Sequence, residues 1–525
     1  MLITKNYFEK YTDKETFSKL KIDKTIPLFL DKIEEQYQDL VAVGSSLKNV
    51  TYKELISDVK KTNQVISNEQ IPFKSNVGVI CNNNYDFVKT ALGVMAYGAV
   101  ATLLPVQLDE KTIFGCCMKY QLTCLFYEKS IAEKIEFAKK MAPMVKFIEI
   151  AEYNVDEKEY NYDIKETDPA CIVLTGGTTG KSKGAILSHL AVMTGTLNGA
   201  YGLKEVFNDV YYSIMPLTHV FGLIRNLLTS LYTGSTIYFC LDKRTMFKEI
   251  KEVKPTILIV VPALAEIFLN LTKQFGLDFL GGNLKTIICG GASVPPYLVE
   301  EFPKFGVTLL PGYGLTETAP IAALTPEYKP MIGSAGKPVI CADIKIDNPN
   351  ENGEGEILIK STTLMLGYYE DEETTNDVIK DGYFHSGDIG YINEDGYLFI
   401  TGRCKNVIVT QNGKNIYPEE IELLLGNIPE IKESMVYGKQ DAEKKNEKEL
   451  IITAKIIPNY EEIEKEHGKD LTEEQVYDII WEKVKEVNRQ LTSYKAIKRI
   501  EIKNDEFEKT TTMKIKRYVE LKKES

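Results

Sequence analysis

The chain has 525 residues, 44% of them hydrophobic, and a formal net charge of −12. Such a length exceeds what a single hydrophobic core organises, so two or three are expected, and the apolar content excludes a disordered chain. The acidic excess argues against nucleic acid as a partner, since nothing would offset repulsion from its phosphates.

Nine cysteines, several in apolar runs and none at zinc-ribbon spacing, read as reduced thiols of a cytoplasmic protein. Residues 1–19 are rich in lysine and acidic residues and lack the apolar centre of a signal peptide. Helical periodicity marks 26–38 and 51–67. A buried strand is expected at 76–81, a helix at 85–97 and a strand at 99–105. The longest apolar stretch, 91–104, is too short to span a bilayer, so no transmembrane segment is expected. This alternation predicts a doubly wound α/β layer.

The run Cys171-Ile172-Val173-Leu174 reads as a buried strand. It feeds Thr175-Gly176-Gly177-Thr178-Thr179-Gly180-Lys181-Ser182-Lys183-Gly184, where four glycines, four hydroxyls and two lysines crowd together. Glycines let backbone N–H groups approach a ligand, hydroxyls donate to phosphate oxygens and lysines supply positive charge, which is the chemistry of a polyphosphate cradle. The P-loop spacing is missed by one residue, because its first glycine would fall at Thr175. A solvated loop rich in glycine and threonine is the competing reading.

Beyond this loop a helix is predicted at 188–198. Strands follow at 210–215, 236–240, 256–261, 285–289 and 307–310, with helices at 263–275 and 296–302 among them. Ligands of such sheets bind beyond the carboxyl ends of the strands. From about residue 333 short alternating strands and tight turns mark a small β subdomain. A hinge-like segment at 401–406 precedes a compact α+β unit, in which the highly charged 461–469 reads as a solvated insertion or a helix surface.

Several stretches at strand ends carry candidate chemistry. In Gly312-Tyr313-Gly314-Leu315-Thr316-Glu317, Tyr313 offers a flat ring for a purine, Thr316 a phosphate donor and Glu317 a hard oxygen ligand for Mg²⁺; alone, the segment is equally a helix start. Gly290-Gly291-Ala292 admits a flat ring against backbone, or is simply a tight turn. Pro216-Leu217-Thr218-His219-Val220-Phe221-Gly222 holds one of four histidines, and a lone histidine is more often structural than functional. In Phe384-His385-Ser386-Gly387-Asp388 the aspartate can accept from two ribose hydroxyls or cap a turn. Gln411-Asn412-Gly413-Lys414-Asn415 contains a strong hairpin signal. The basic cluster from Glu508 through Lys514 to Arg517 would pass for a solvated tail.

In this order, the stretches resemble the signatures of the adenylate-forming superfamily: acyl-CoA synthetases, luciferases and the adenylation domains of peptide synthetases. The chain is most similar to a bacterial fatty-acid–CoA ligase. The loop matches [ST]-[SG]-G-[ST]-[ST]-G-x-P-K-G, with Ser182 in place of proline. The resemblance implies that Thr175, Gly176, Gly177, Thr178, Thr179, Gly180, Lys181 and Lys183 surround the β- and γ-phosphates in a loop that moves without nucleotide. It places Gly291, Ala292 and Tyr313 at the adenine, Thr316 at the phosphates, Glu317 on Mg²⁺, and Asp388 with Arg403 on the ribose. His219 would gate the acid channel, Lys405 would be the hinge, Gly413 would line the thiol tunnel and Lys514 would be the catalytic lysine. Departures are Phe384 and Ser386 for tryptophan and threonine, Asn406 for aspartate, and Glu508 and Met513 for proline and glycine.

The fold implied is α/β: a large N-terminal AMP-binding domain (1–402) of two doubly wound subdomains plus a small β subdomain, a hinge (403–406), and a small mobile α+β domain (407–525). The activity implied is that of an AMP-forming acyl-CoA synthetase. It would use ATP and Mg²⁺ to make an acyl-adenylate, release pyrophosphate, and transfer the acyl group to CoA. The absence of acidic residues in 222–230 favours a plain carboxylic acid over an amino acid, and the apolar run after His219 favours a medium- or long-chain fatty acid. The nearest rivals are an acyl-AMP ligase, whose extra segment finds little room between Glu317 and Asp388, and an adenylation enzyme that loads a carrier-protein thiol. A P-loop NTPase or a noncatalytic nucleotide-binding module are the readings outside the family.

Overall fold

Local capping sets where two of the early helices begin. The Thr51 hydroxyl accepts from Glu54 N–H while the Glu54 carboxylate accepts from Thr51 N–H at 2.8 Å, a reciprocal box that starts helix Tyr52–Asn68. Asn84 accepts from Phe87 N–H and starts helix Tyr85–Tyr97, which ends at left-handed Gly98. That second helix is buried along most of its length, matching its nearly continuous apolar sequence. The computed structural model describes residues 20–45, 48–175, 183–200, 207–327, 329–409, 414–440, 450–510 and 514–522.

Two large sheets carry the N-terminal part. The first has seven strands in the order Gly367–Tyr368, Gly184–Ser188, Pro169–Leu174, Val100–Leu104, Asn76–Ile80, Cys124–Tyr127 and Lys146–Glu149. The last five run parallel. The second has nine strands, and its parallel centre is Thr308–Tyr313, Thr286–Cys289, Ile257–Val260, Val210–Ser213 and Thr236–Phe239. Helix His189–Ala200 lies within the largest core cluster, together with residues of both sheets.

A five-stranded antiparallel sheet, which includes Gly355–Ser361, Tyr383–Ile392 and Leu398–Arg403, forms the β part. The C-terminal part has a three-stranded sheet, Ile431–Gln440, Leu450–Pro458 and Arg499–Ile502, covered by helices that include Glu473–Asn488. It has a core of its own. The α/β architecture expected from the sequence is therefore present.

One local expectation changes and two open readings are narrowed. Strand Gly184–Ser188 was not anticipated; it pairs antiparallel with Pro169–Leu174, so the glycine-rich stretch joins two strands of a hairpin and the helix starts only at His189. Residues 461–469 take the helix-surface form of the two expected, since helix Tyr460–His467 buries only Ile463. The basic cluster near the end is not a loose tail. The Arg517 guanidinium donates to Val436 O at 2.8 Å and pairs with Glu422, and Lys509 Nζ lies 2.6 Å from Glu433.

Candidate active site

The site forms where the parallel strands of the nine-stranded sheet end. Strand Thr286–Cys289 runs out into Gly290 and Gly291, the latter at φ +83°, and its neighbour Thr308–Tyr313 delivers Tyr313. A Cβ at Gly290 would lie 3.1 Å from Gly312 O and 3.6 Å from the Phe221 ring, so the floor is backbone with one aromatic wall. Gly314 is required by close approach: a Cβ there would fall 1.6 Å from Pro320 O, where the chain folds back after Thr316 and Glu317. Thr316 is buried and Ala292 is exposed at the rim.

Tyr313 reaches the β part. Its hydroxyl donates to Asp388 Oδ2 at 2.8 Å, and Arg403 Nε donates to Asp388 Oδ1 at 2.7 Å. Burial, followed by the Asp388 charge, holds the Tyr313 phenol well above its ordinary pKa. Asp388 is itself held by Ser386, whose hydroxyl accepts from Asp388 N–H at 3.0 Å. The expected ribose pair and the expected adenine tyrosine thus form one connected group.

Glu317 has a partner that sequence reasoning missed. The Tyr368 hydroxyl donates to Glu317 Oε1 at 2.7 Å, and Lys183 Nζ sits 5.0 Å from the centre of the same ring. Lys183 also pairs with Asp371 at 3.7 Å. Tyr368 lies on a short strand beside Gly184–Ser188, so strand pairing brings it to the base of the glycine-rich stretch. That base is closed by Thr175 N–H donating to Lys183 O at 2.8 Å. Only this long-range pairing identifies Tyr368; its residue type and spacing carry no signal. The second oxygen of Glu317 takes no hydrogen bond from the described residues, and a half-exposed carboxylate with an open hard oxygen fits Mg²⁺.

His219 follows a segment clamped by Asn83, whose amide donates to Met215 O at 2.8 Å and accepts from Leu217 N–H at 2.9 Å. His219 Nδ1 accepts from Phe221 N–H at 3.2 Å, which leaves the proton of the neutral ring on Nε2. Burial, then the charge of Lys514, lowers the His219 pKa to about 4, so the ring is neutral at physiological pH. Helix Phe221–Leu228, a π-helix, follows at once.

Lys514 comes from the far end of the chain to the same place. Thr510 N–H donates to Lys514 O at 2.9 Å and Lys514 N–H to Thr510 Oγ1 at 3.2 Å, which ties Lys514 to Thr510. Lys514 as a whole is exposed, but its ammonium is crowded by protein. The surrounding walls and then the Arg403 charge lower its pKa to about 8, against the opposing pull of Asp388 and Glu317.

The structure therefore brings Lys514, Thr316, Glu317, His219, Tyr313, Asp388, Arg403, Gly291, Thr175 and Lys183 to one cleft. Lys405 lies exposed in a 3₁₀ turn, Cys404–Asn406, directly after Arg403. Gly176, Gly177, Thr178, Thr179, Gly180, Lys181, Gly413 and Met513 lie outside the described residues.

Strand order, cleft and clustered residues define a nucleotide-binding α/β enzyme with a second, smaller unit. A family model for the AMP-binding enzyme matches residues 30–369, and one for the AMP-binding enzyme C-terminal domain matches residues 405–523. The chain belongs to the AMP-binding enzyme family, within the adenylate-forming superfamily.

A 2-succinylbenzoate–CoA ligase from Bacillus cytotoxicus is 27% identical over 425 residues, covering 79% of this chain and 86% of that protein. Three solved structures share the fold. An anthranilate CoA ligase in complex with anthranoyl-AMP has a TM-score of 0.82 at 20% identity, over 96% of this chain and 98% of that one. The o-succinylbenzoate coenzyme A synthetase of Bacillus subtilis, in complex with ATP and magnesium ion, has 0.78 at 22%, over 93% and 98%. A Mycobacterium tuberculosis fatty acyl CoA synthetase has 0.71 at 23%, over 95% and 98%.

Proposed function

We propose that this chain is an AMP-forming acid–thiol ligase that joins a carboxylic acid to CoA by way of an acyl-adenylate. The observation that carries the reading is the convergence of Lys514 on Asp388, Arg403, Glu317 and His219 from more than a hundred residues away in sequence. A lysine with a lowered pKa in a cleft of mixed charge is a functional group rather than a solubilising one.

In this reading Asp388, fixed by Tyr313 and Arg403, accepts the ribose hydroxyls, and the glycine floor at Gly290 and Gly291 admits adenine. Lys183 and the hydroxyl-rich stretch before it hold the outer phosphates. Glu317 would hold Mg²⁺, whose charge would offset that of the phosphates. The acid's carboxylate attacks the α-phosphorus, the bond to the bridging oxygen breaks and pyrophosphate leaves. Lys514 as ammonium offsets charge on the attacking carboxylate and the α-phosphate, so catalysis is mainly positioning and charge stabilisation. Neutral His219 lines the entry for the acid. The CoA thiolate then attacks the acyl carbon and AMP leaves.

We place the boundary between a unit of residues 1–402 and one of 407–525 at 403–406, with Lys405 at the pivot between half-reactions. All nine cysteines are free, which supports a cytoplasmic setting; no helix among the described residues is long and apolar enough to cross a membrane.

For the acid, the apolar run after His219 supports a medium- or long-chain fatty acid. Two observations support a compact acid ahead of it. The relatives above are named for 2-succinylbenzoate and anthranilate, and helix Phe221–Leu228 is packed along nearly its whole length. The test is pyrophosphate release across aryl, oxo and fatty acids of increasing length, with and without CoA. Acid-dependent pyrophosphate, and AMP plus thioester only with CoA, is the expected result. Phosphate release from ATP without any acid would reject the reading.

A further inference from the structure

The π-helix carries a cation that the adenylation chemistry does not use. Arg225 is 0% exposed, and its Nε and both Nη atoms have no hydrogen-bond partner. It forms no ion pair with any carboxylate among the described residues. Its polar neighbour is the Tyr211 hydroxyl, which lies near enough to interact with the guanidinium but makes no hydrogen bond of good geometry with it. A buried guanidinium without a counter-charge is costly, and structural arginines are normally satisfied. π-Helices are rare and cluster at functional sites, so this one is a second, independent pointer.

The position is informative. Phe221 begins the helix and faces Gly290 at the site floor, and Arg225 follows one turn later. Its Cδ would lie 3.1 Å from a Cβ at Gly199, so the absence of a side chain there lets the arginine pass the central helix. Tyr211 is in register with Ile257 and, through it, with Thr286, three positions before the strand end at Cys289. At about 3.3 Å per residue, this places Tyr211 roughly 10 Å below the edge where the carboxylate reacts. The interval suits a compact acid, with its activated end at His219 and its far end at Arg225.

We propose that the acyl pocket runs from His219 along the π-helix to Arg225, and that the acid bears a second carboxylate at its far end, which the guanidinium receives. The proposal rests on the ligase reading and names the substrate class of that same site. Neither Nη atom nor Nε is committed to a well-formed hydrogen bond, so the contact can be bidentate, the geometry in which arginine is most selective for a carboxylate. The guanidinium is enclosed by protein here, so the tail reaches it only if neighbouring side chains move aside. A buried donor set left unsatisfied by a monocarboxylate rejects it strongly, by about 100-fold or more.

The experiment compares matched acids in pyrophosphate exchange and CoA thioester formation: adipate with hexanoate, suberate with octanoate, and 2-succinylbenzoate with 4-oxo-4-phenylbutanoate. The enzymes are the wild type, Arg225→Met and Arg225→Lys. For at least one pair, wild-type kcat/KM should favour the dianion by about 100-fold or more, and Arg225→Met should bring that ratio close to one. Arg225→Lys, which keeps the charge, should retain part of it and guards against a methionine variant that fails to fold. Removal of an unpaired buried charge should leave the Tm of Arg225→Met unchanged or higher, whereas a structural arginine would lower it. Equal or greater wild-type activity on the monoanion of every pair would overturn the proposal and leave the ligase reading intact. So would an equal fall on both acids in Arg225→Met. Pyrophosphate from no acid at all would overturn the ligase reading and this proposal together.

Discussion

Asp388 and Arg403 face each other directly across an antiparallel ladder, and the carboxylate accepts a 2.7 Å charge-assisted hydrogen bond from the guanidinium Nε. Strand register alone therefore aims the two groups at one point, and Tyr313 adds a third contact from a different sheet. The carboxylate keeps lone pairs for ribose hydroxyls while both of its oxygens are fixed in direction.

Replacing Asp388 with Asn keeps an acceptor for Tyr313 but removes the counter-charge of Arg403. The KM for ATP should rise by about 10- to 100-fold, the scale of a lost hydrogen bond to a charged group. Pyrophosphate exchange at varied ATP measures it. An unchanged KM would remove Asp388 from the nucleotide site.

Tyr368 and Glu317 predict a graded pair of effects. Glu317→Gln keeps the shape and removes the charge, so adenylation should fall by about 100-fold and need more magnesium. Tyr368→Phe removes one hydrogen bond to that carboxylate and should cost about 10-fold. Titrating both variants with MgCl₂ at fixed ATP checks the order. Equal activity of Glu317→Gln and wild type at every magnesium level contradicts the assignment.

The Lys514 pKa of about 8 predicts a pH signature. The ammonium is the working form, so kcat/KM for adenylation should fall as pH rises through about 8. His219, lowered to about 4, adds no limb in the neutral range. Lys514→Arg should move the fall upward, because guanidinium does not deprotonate there. Lys514→Ala should lose pyrophosphate formation by about 100-fold yet still convert supplied acyl-adenylate and CoA. Lys405→Pro, which fixes φ at the proposed pivot, should show the reverse split. Equal damage to both half-reactions in Lys514→Ala would argue against alternation.

His189 predicts acid sensitivity of the fold. It is fully buried at the start of the central helix, its Nδ1 accepts from Ile26 N–H at 3.3 Å, and burial lowers its pKa to about 4. Between pH 6.5 and 4 the unfolded chain binds a proton that the folded chain refuses, so its contribution is present above pH 6.5 and is lost as pH falls. In urea unfolding the loss from pH 7 to pH 5 should be smaller by about 2 kcal/mol in His189→Gln than in wild type. Identical slopes would show that the ring takes its proton in the folded state.

The α/β class was legible because strand and helix alternate with clear periodicity, as in 76–80 and 85–97, and because caps such as Thr51 and Asn84 are local signals. The residues brought to the cleft were named from short stretches at strand ends, where glycine and hydroxyl patterns survive as sequence. Tyr368 and Arg225 were not legible for opposite reasons. Tyr368 acquires its place from strand pairing over a long sequence interval, and Arg225 sits in a run whose other members are mostly apolar. Strand Gly184–Ser188 was hidden because the glycine-rich stretch before it reads as a loop entering a helix, and only its pairing with Pro169–Leu174 makes it a strand.

The turn Cys404–Asn406 follows Arg403 with no residue between. For a body turning about a point, displacement grows with distance from that point. A swing of the C-terminal unit at this turn would carry Lys514 through a wide arc and leave Arg403 almost stationary. The nucleoside end of an adenylate would thus remain gripped at the pivot while everything facing its phosphorus is exchanged, so one bound molecule could be presented to two sets of side chains without being released.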